Sequence, residues 1–370
     1  MSELKVDKVS PRTGNYVSLN TVGMKNIIIN GDMSIAQRGT SSSSITTTDY
    51  YTVDRFQQFV SSAGTWTLSQ DTDVPSGQGF SKSMKYDCTT ADGSLSASSL
   101  LLFQQKFEGQ NLQYLKKGTS SAESLTASFW VKSNKTGTYI CQFRDIDNSR
   151  SISQSYTISS ANTWEKKIIT IPGDTTGAFD NDNGDSLRLL FFLGAGSNYT
   201  SGTLGTTWGA EVNANRAVGQ VNLADSTANE WYITGVQLEA GTTASDFEFL
   251  PYDVNLQRCE RYYQVFNYIS GGVICMGNSE AGTGASGGFD FNTMRAAPTV
   301  TLPTAGQTAN TATFLTAGGA YPSTTGSFSA GSIGIKHFRI GSSGYVGLTS
   351  ERVSWLYSTG NTSLTLDAEL

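Results

Sequence analysis

The chain has 370 residues, of which 38% are hydrophobic and only 15% charged, with 39 glycines and a formal net charge of −6. That length suits two or three domains. The acidic balance argues against a nucleic-acid partner, which needs a basic surface to neutralise phosphate, and no run approaches the ~20 apolar residues of a membrane helix.

Residues 1–49 read as a docking arm and stem. LKVDKV and NYVSL alternate like half-buried strands around a turn at Pro11–Gly14. Lys5, Lys8, Arg12, Lys25 and Arg38 outnumber Glu3, Asp7 and Asp32, which suits an acidic partner. MSELKVDKVS lacks the apolar core of a secretory signal, so synthesis in a cytoplasm and release by lysis are expected. So short a segment cannot bury a core alone and is expected to borrow one from another chain or copy. In NIIINGDMSIAQRGTS (26–41), the IIIN run reads as a strand covered on both faces, acting as a hinge. SSSSITTT, from Ser41, reads as a flexible connector.

From Tyr50 to Pro251 strand follows strand: FQQFV, TWTLS, SMKYD, SLTASFWVK, GTYICQFRD, WEKKIITIP, SLRLLFFLG and EWYITGVQLE. Short strands at regular spacing between Gly, Asn, Asp and Ser clusters predict an antiparallel jelly-roll β-sandwich. In SLTASFWVK, Leu125, Ala127, Phe129 and Val131 share an apolar face, and Thr126, Ser128, Trp130 and Lys132 share a half-open one. Residues 252–265 predict a linking helix, with apolar groups at 256, 259, 262 and 263 and Asp253 as N-cap behind Pro251. Residues 266–370 predict a smaller β-domain. There GNSEAGTGASGG is a loop, and TVTLP, ATFLT, IKHFRI, VSWLYS and the closing LTLDAEL carry the strands. The chain is thus expected to be all-β.

Catalytic residues are not expected. His337 is the single histidine and alternates with Phe338 on a strand; phosphate-loop and H-E-x-x-H motifs are missing. Cys88, Cys141, Cys259 and Cys275 have no metal or redox spacing and read as buried thiols. No cofactor is expected unless FDNDNGDS holds a structural calcium ion through Asp180, Asp182 and Asp185; paired-carboxylate chemistry and a solvated turn are the other readings. Aromatic residues in polar surroundings fit sugar rings, whose apolar faces stack while hydroxyls take polar partners. Trp66, Trp130, Trp164 and Trp231 read mainly as core. Trp208 in SGTLGTTWGA, Tyr199 in GSNYTSG, and Tyr50 and Tyr51 form the expected saccharide site.

NIIINGDMSIAQRGTS with YTVDRF (51–56) resembles the start of bacteriophage tail-fibre and virion-fibre proteins of the marine type, where it opens a carbohydrate-binding-module-like jelly roll. SLTASFWVKS (124–133), WYITGVQLEAGTTASDFEF (231–249), PYDVNLQRCERYYQ (251–264) and MRAAPTV (294–300) are similar to further blocks of that family, and LKVDKVSPRTGNYVSL is similar to its docking segments. The resemblance implies a non-enzymatic homotrimer on the virion, mounted through its N-terminal arm on other virion proteins and binding a host-surface glycan. Ile27, Ile28, Ile29, Val17 and Leu19 are then the trimer stem. A capsid-attached fibre with a mainly structural role is the alternative, and a polysaccharide depolymerase a third reading, disfavoured because the chain shows no internal repeat.

Overall fold

The computed structural model describes residues 25–280, 284–305, 311–316, 319–320, 327–343 and 352–370. Val17 and Leu19 lie outside them. The alternating segments form strands β1 (Ser41–Ile45), β2 (Gln57–Ser61), β3 (Thr65–Asp71), β4 (Ser83–Thr90), β5 (Leu100–Glu108), β6 (Leu125–Ser133), β7 (Gly137–Asp145), β8 (Arg150–Ile158), β9 (Glu165–Ile171), β10 (Asp185–Ala195), β11 (Gly209–Ala210) and β12 (Glu230–Ala240). They pair antiparallel in two six-stranded sheets, ordered β1-β3-β4-β12-β6-β9 and β11-β8-β7-β10-β5-β2. A jelly-roll sandwich results, with its core between the sheets. Trp66, Tyr86, Phe103, Phe129, Phe191 and Trp231 fill that core, mostly edge to face at centroid separations such as 5.6 Å for Tyr86–Trp231 and 4.9 Å for Phe129–Phe191. Strands β5 (LLLFQQKFE) and β8 (RSISQSYTI) were not among the expected ones.

The opening segment departs from expectation in an instructive way. IIIN is not a strand of a stem; it runs along β12 of its own sandwich. Ile27 N–H donates to the Leu238 carbonyl at 2.8 Å and Val236 N–H to the Gly31 carbonyl at 2.9 Å. Ile28 is 1% exposed in the sandwich core, while Ile27 and Ile29 are half-buried. Asn30 takes a left-handed backbone (φ 61°), and its side chain bonds the Ile35 N–H and carbonyl and the Asp54 carbonyl. A Cβ on Gly31 would lie 2.0 Å from the Val236 carbonyl oxygen, so the Asn-Gly pair is the turn that lets the chain press against β12. SSSSI is not a free connector either: it is β1, hydrogen-bonded to β3. The boundary expected at residue 49 therefore falls inside the sandwich.

Among the described residues two α-helices follow the strands' lead rather than building the core: α1 (Ser197–Thr200) and α2 (Tyr252–Glu260). Helix α2 ends earlier than the expected linking helix. Pro251 stands at its N-cap and Asp253 lies inside the first turn. Tyr263 already belongs to β13, because the aromatic run Tyr263–Tyr268 pairs with the closing strand.

The second unit contains β13 (Tyr263–Tyr268), β14 (Val273–Glu280), β15 (Gly284–Asp290), β16 (Thr299–Thr301), β17 (Ala312–Thr316), β18 (Gly319–Ala320), β19 (Phe328–Gly331), β20 (His337–Ser342), β21 (Val353–Ser358) and β22 (Thr362–Asp367). They form sheets β13-β22-β16 and β18-β17-β21-β14-β15-β20-β19 around Phe289, Phe338, Ile340, Leu356, Leu364 and Leu366. GNSEAGTGASGG is largely sheet rather than loop: Gly277 faces Gly287 and Ser279 faces Ala285 across β14 and β15. No helix among the described residues is long and apolar enough to cross a membrane.

Glu108, fully buried at the end of β5, ties α2 to the sandwich. Its carboxylate accepts Arg261 Nε at 2.8 Å and a second guanidinium nitrogen at 2.6 Å, the Tyr262 hydroxyl at 2.5 Å and Gln110 Nε2 at 2.6 Å. Burial opposes its charge, but the bonds from Arg261 and Tyr262 outweigh burial and hold the carboxyl below its usual range. The stabilisation is therefore complete above the unfolded-chain value near ~4.3 and is lost as pH falls through the lower folded-state value. Glu108→Gln is expected to cost about 2 kcal/mol at pH 7 and to flatten the acid limb of a stability–pH curve by up to ~1.4 kcal/mol per pH unit. Urea melts between pH 3 and 7 check both.

Candidate functional site

Strand β6 sends Ala127, Phe129 and Val131 into the core and turns Ser128, Trp130 and Lys132 to the outer face of its sheet. On that face Trp130 lies between Thr234 of β12 and Lys166 of β9, and Ser128 lies opposite the exposed Ile168. The half-open face read from the sequence is thus present, and its two ends differ.

One end is closed by its own polar partners. The Lys132 ammonium sits 4.2 Å from the Tyr232 ring centroid and 5.6 Å from that of Trp164. Lys132 is ion-paired with Asp73, whose other oxygen accepts Trp164 Nε1 at 2.9 Å. Lys85 meets Glu230 at 2.6 Å, and the Tyr232 hydroxyl donates to Glu230 at 2.8 Å. Burial works against the Asp73 charge, yet hydrogen bonds from Lys132 and Trp164 hold it below the normal carboxylate range. Burial, with Glu230 beside it, pushes the Tyr232 phenol up to about 12.

The other end is open. Strand β12 bulges between Thr234 and Gln237, and Gly235 takes φ +62° there. Phe80 lies directly on this glycine: a Cβ on Gly235 would stand 2.5 Å from Phe80 Cζ. Phe80, Phe247 and Phe249 form a wall with centroids 5.0, 5.1 and 4.8 Å apart. With Trp130, Gln78, Ser128, Lys166 and Asp246 they enclose a cleft of about 320 Å³, within the small-ligand range. Phe249 is 50% exposed although large and apolar. Among the described residues, the side chains of Gln78, Lys166 and Asp246 have no hydrogen-bond or ion-pair partner. The cleft offers flat apolar rings beside free donors and acceptors.

Because Gly235 supports one wall, Gly235→Ala is expected to cost about 1–3 kcal/mol from the left-handed backbone alone and to push Phe80 out of place. A melting curve checks the first effect, and an altered fluorescence maximum of Trp130 checks the second.

The expected sugar residues are not brought together. Trp208 is half-buried. Its Nε1 donates to the Pro172 carbonyl at 2.9 Å, the Lys117 ammonium is 5.8 Å from its ring, and the void beside it is only about 20 Å³. Tyr199 packs instead against the separate cluster around Phe192 and Ala217, 5.7 Å from the Arg216 guanidinium. Tyr50 is buried, its hydroxyl donating to the Leu370 carbonyl at 3.2 Å, and burial raises its phenol pKa. Tyr51 is half-buried and bonded to Thr47. Trp130, Phe80, Phe247 and Phe249 were missed as site residues. The available signal was a tryptophan on the polar side of SLTASFWVK and alternate phenylalanines in DFEF.

Asp180, Asp182 and Asp185 do not converge either. Asp182 accepts the Gly184 N–H at 2.7 Å and Asp185 binds Arg188 at 2.6 Å, while Asp180 is exposed. Among the described residues no three His, Cys, Asp or Glu side chains are grouped to hold a metal ion. His337 Nδ1 meets Asp290 at 2.7 Å on an exposed strand. The four cysteines are buried and unpaired.

No family model and no curated protein matches the chain. Among solved structures it is similar to the enzymatically active domain of tailspike protein 4 of bacteriophage CBA120, at 15% identity and a TM-score of 0.31 over 58% of this chain and 21% of that one. It is also similar to TmCBM61 in complex with β-1,4-galactotriose, at 10% identity and 0.29 over 59% and 99%. A third is the family 11 carbohydrate-binding module of Clostridium thermocellum, at 10% and 0.25 over 55% and 98%. Fold and site together define an antiparallel β-sandwich with an aromatic cleft on one open sheet face.

Proposed function

We propose that this chain is a saccharide-binding protein of a bacteriophage fibre and that a host-surface glycan docks, uncleaved, in the Trp130 cleft. One observation carries the sugar reading. At the open end of a sheet face whose other end satisfies its own polar groups, four aromatic rings stand beside the unpartnered side chains of Gln78, Lys166 and Asp246. A pyranose needs that pair of features, a flat apolar surface for its C–H face and separate polar groups for its hydroxyls.

The virion-fibre part rests on the sequence blocks that resemble such fibres. Ile28 is committed to its own core and is not free for trimer contacts. Three weak sites on one particle gain avidity without new contacts. The test uses the full chain and host-surface polysaccharide. Saturable binding with no shortening of the polysaccharide supports the reading, and shortened chains contradict it. Light scattering at the mass of three chains supports the trimer, and a stable single-chain mass removes it.

A further inference from the structure

A second cavity, of about 570 Å³, lies between the sandwich and α2. It belongs to neither the Trp130 cleft nor its aromatic wall. Its charges do not cancel. Glu108, the carboxylate lining it, is occupied by Arg261, Tyr262 and Gln110. Lys106 turns its ammonium to a main-chain oxygen of Leu370 and is occupied there. Arg258 has a single bond, to the Asn26 carbonyl at 3.3 Å, and no carboxylate at ion-pair distance among the described residues. Glu248, the carboxylate whose charge acts on it, already accepts the Lys25 and Asn26 backbone N–H groups at 3.2 and 2.9 Å.

A half-buried guanidinium with one acceptor has been stripped of water without being repaid in full. Burial lowers the Arg258 pKa, the sign of a cation short of counter-charge. Apart from Asn111, the remaining lining is apolar or aromatic: Ile27, Ile29, Phe107 and, half-exposed at the rim, Tyr114. A bare inorganic ion would leave that surface unused.

We propose that this cavity binds a small organic carboxylate of the acidic-sugar class, with the Arg258 guanidinium gripping the carboxylate as a fork and Tyr114 lying against the apolar face of the ring. The geometry suits arginine's planar donors, which match a carboxylate two bonds at a time.

The test titrates the full chain at low salt with glucuronate, and in parallel with glucose and with inorganic phosphate. Glucuronate is expected to bind saturably, glucose not at all, and phosphate at least tenfold more weakly. Arg258→Gln should weaken glucuronate at least tenfold, and Tyr114→Ala, at an exposed position, about threefold. Arg258→Lys keeps the charge but loses the fork and should weaken it severalfold, which covers a Gln variant that does not fold. Trp130→Ala should leave glucuronate binding unchanged, which separates this site from the cleft. Equal binding of glucose, unchanged affinity in Arg258→Lys, or phosphate as tight as glucuronate would overturn the assignment.

Discussion

Replacing Glu369 with alanine is expected to destabilise the chain by about 3–5 kcal/mol, the usual loss when one partner of a buried ion pair is removed. Glu369 follows the last strand of the second unit, and its carboxylate is ion-paired with Arg55 of the sandwich, whose side chain is 1% exposed. Arg38 approaches the same carboxylate at 3.4 Å and Asp367 at 2.9 Å. Arg55 has little else to balance its charge: the Lys106 carbonyl at 2.9 Å and the face of Tyr262, 3.3 Å from the guanidinium carbon. Its Nε has no partner. Burial opposes the Arg55 charge, yet Glu369 raises its pKa overall. Without Glu369 that cation stays buried and nearly uncompensated. Urea denaturation measures the loss. Replacing Arg55 and Glu369 together with Met and Leu should recover most of it, because the penalty comes from the orphaned charge rather than from a missing attraction. A single-variant loss below about 1 kcal/mol would show that the two units do not depend on this junction.

Trp130→Ala is expected to lower affinity for the host glycan about 30-fold, or about 2 kcal/mol, as befits an aromatic anchor at the centre of a site. The ring is half-exposed on the outer face, so folding should change little. Trp208→Ala is the control: that ring is engaged with Pro172 and Lys117, and its loss should leave binding unchanged. Equal affinities for wild type and Trp130→Ala would move the sugar elsewhere.

The strands of the sandwich were readable because alternation is local: a few residues of SLTASFWVK assign both faces of β6. What failed was long-range. Ile28 looks the same whether it meets another copy or its own β12, and that strand lies more than 200 residues away, where the Leu238 carbonyl accepts the neighbouring Ile27 N–H. The cleft needs Phe80, Trp130 and Phe247 on one surface and a bulge at Gly235, and neither the bulge nor the convergence has a local signature. Trp208 misled for the converse reason. Its sequence neighbours are small and polar, but the folded chain brings it Pro172 and Phe179. Strands β14 and β15 were hidden by Gly, Ser and Ala, which lack β-propensity and gain it only by pairing with one another.

The most direct test follows the six tryptophan indole N–H signals by NMR while host-surface oligosaccharide is added. The Trp130 signal should move and saturate while those of the buried Trp66 and Trp231 stay in place. A saturating shift at Trp208 or Trp355 with Trp130 unmoved would contradict the cleft as the sugar site.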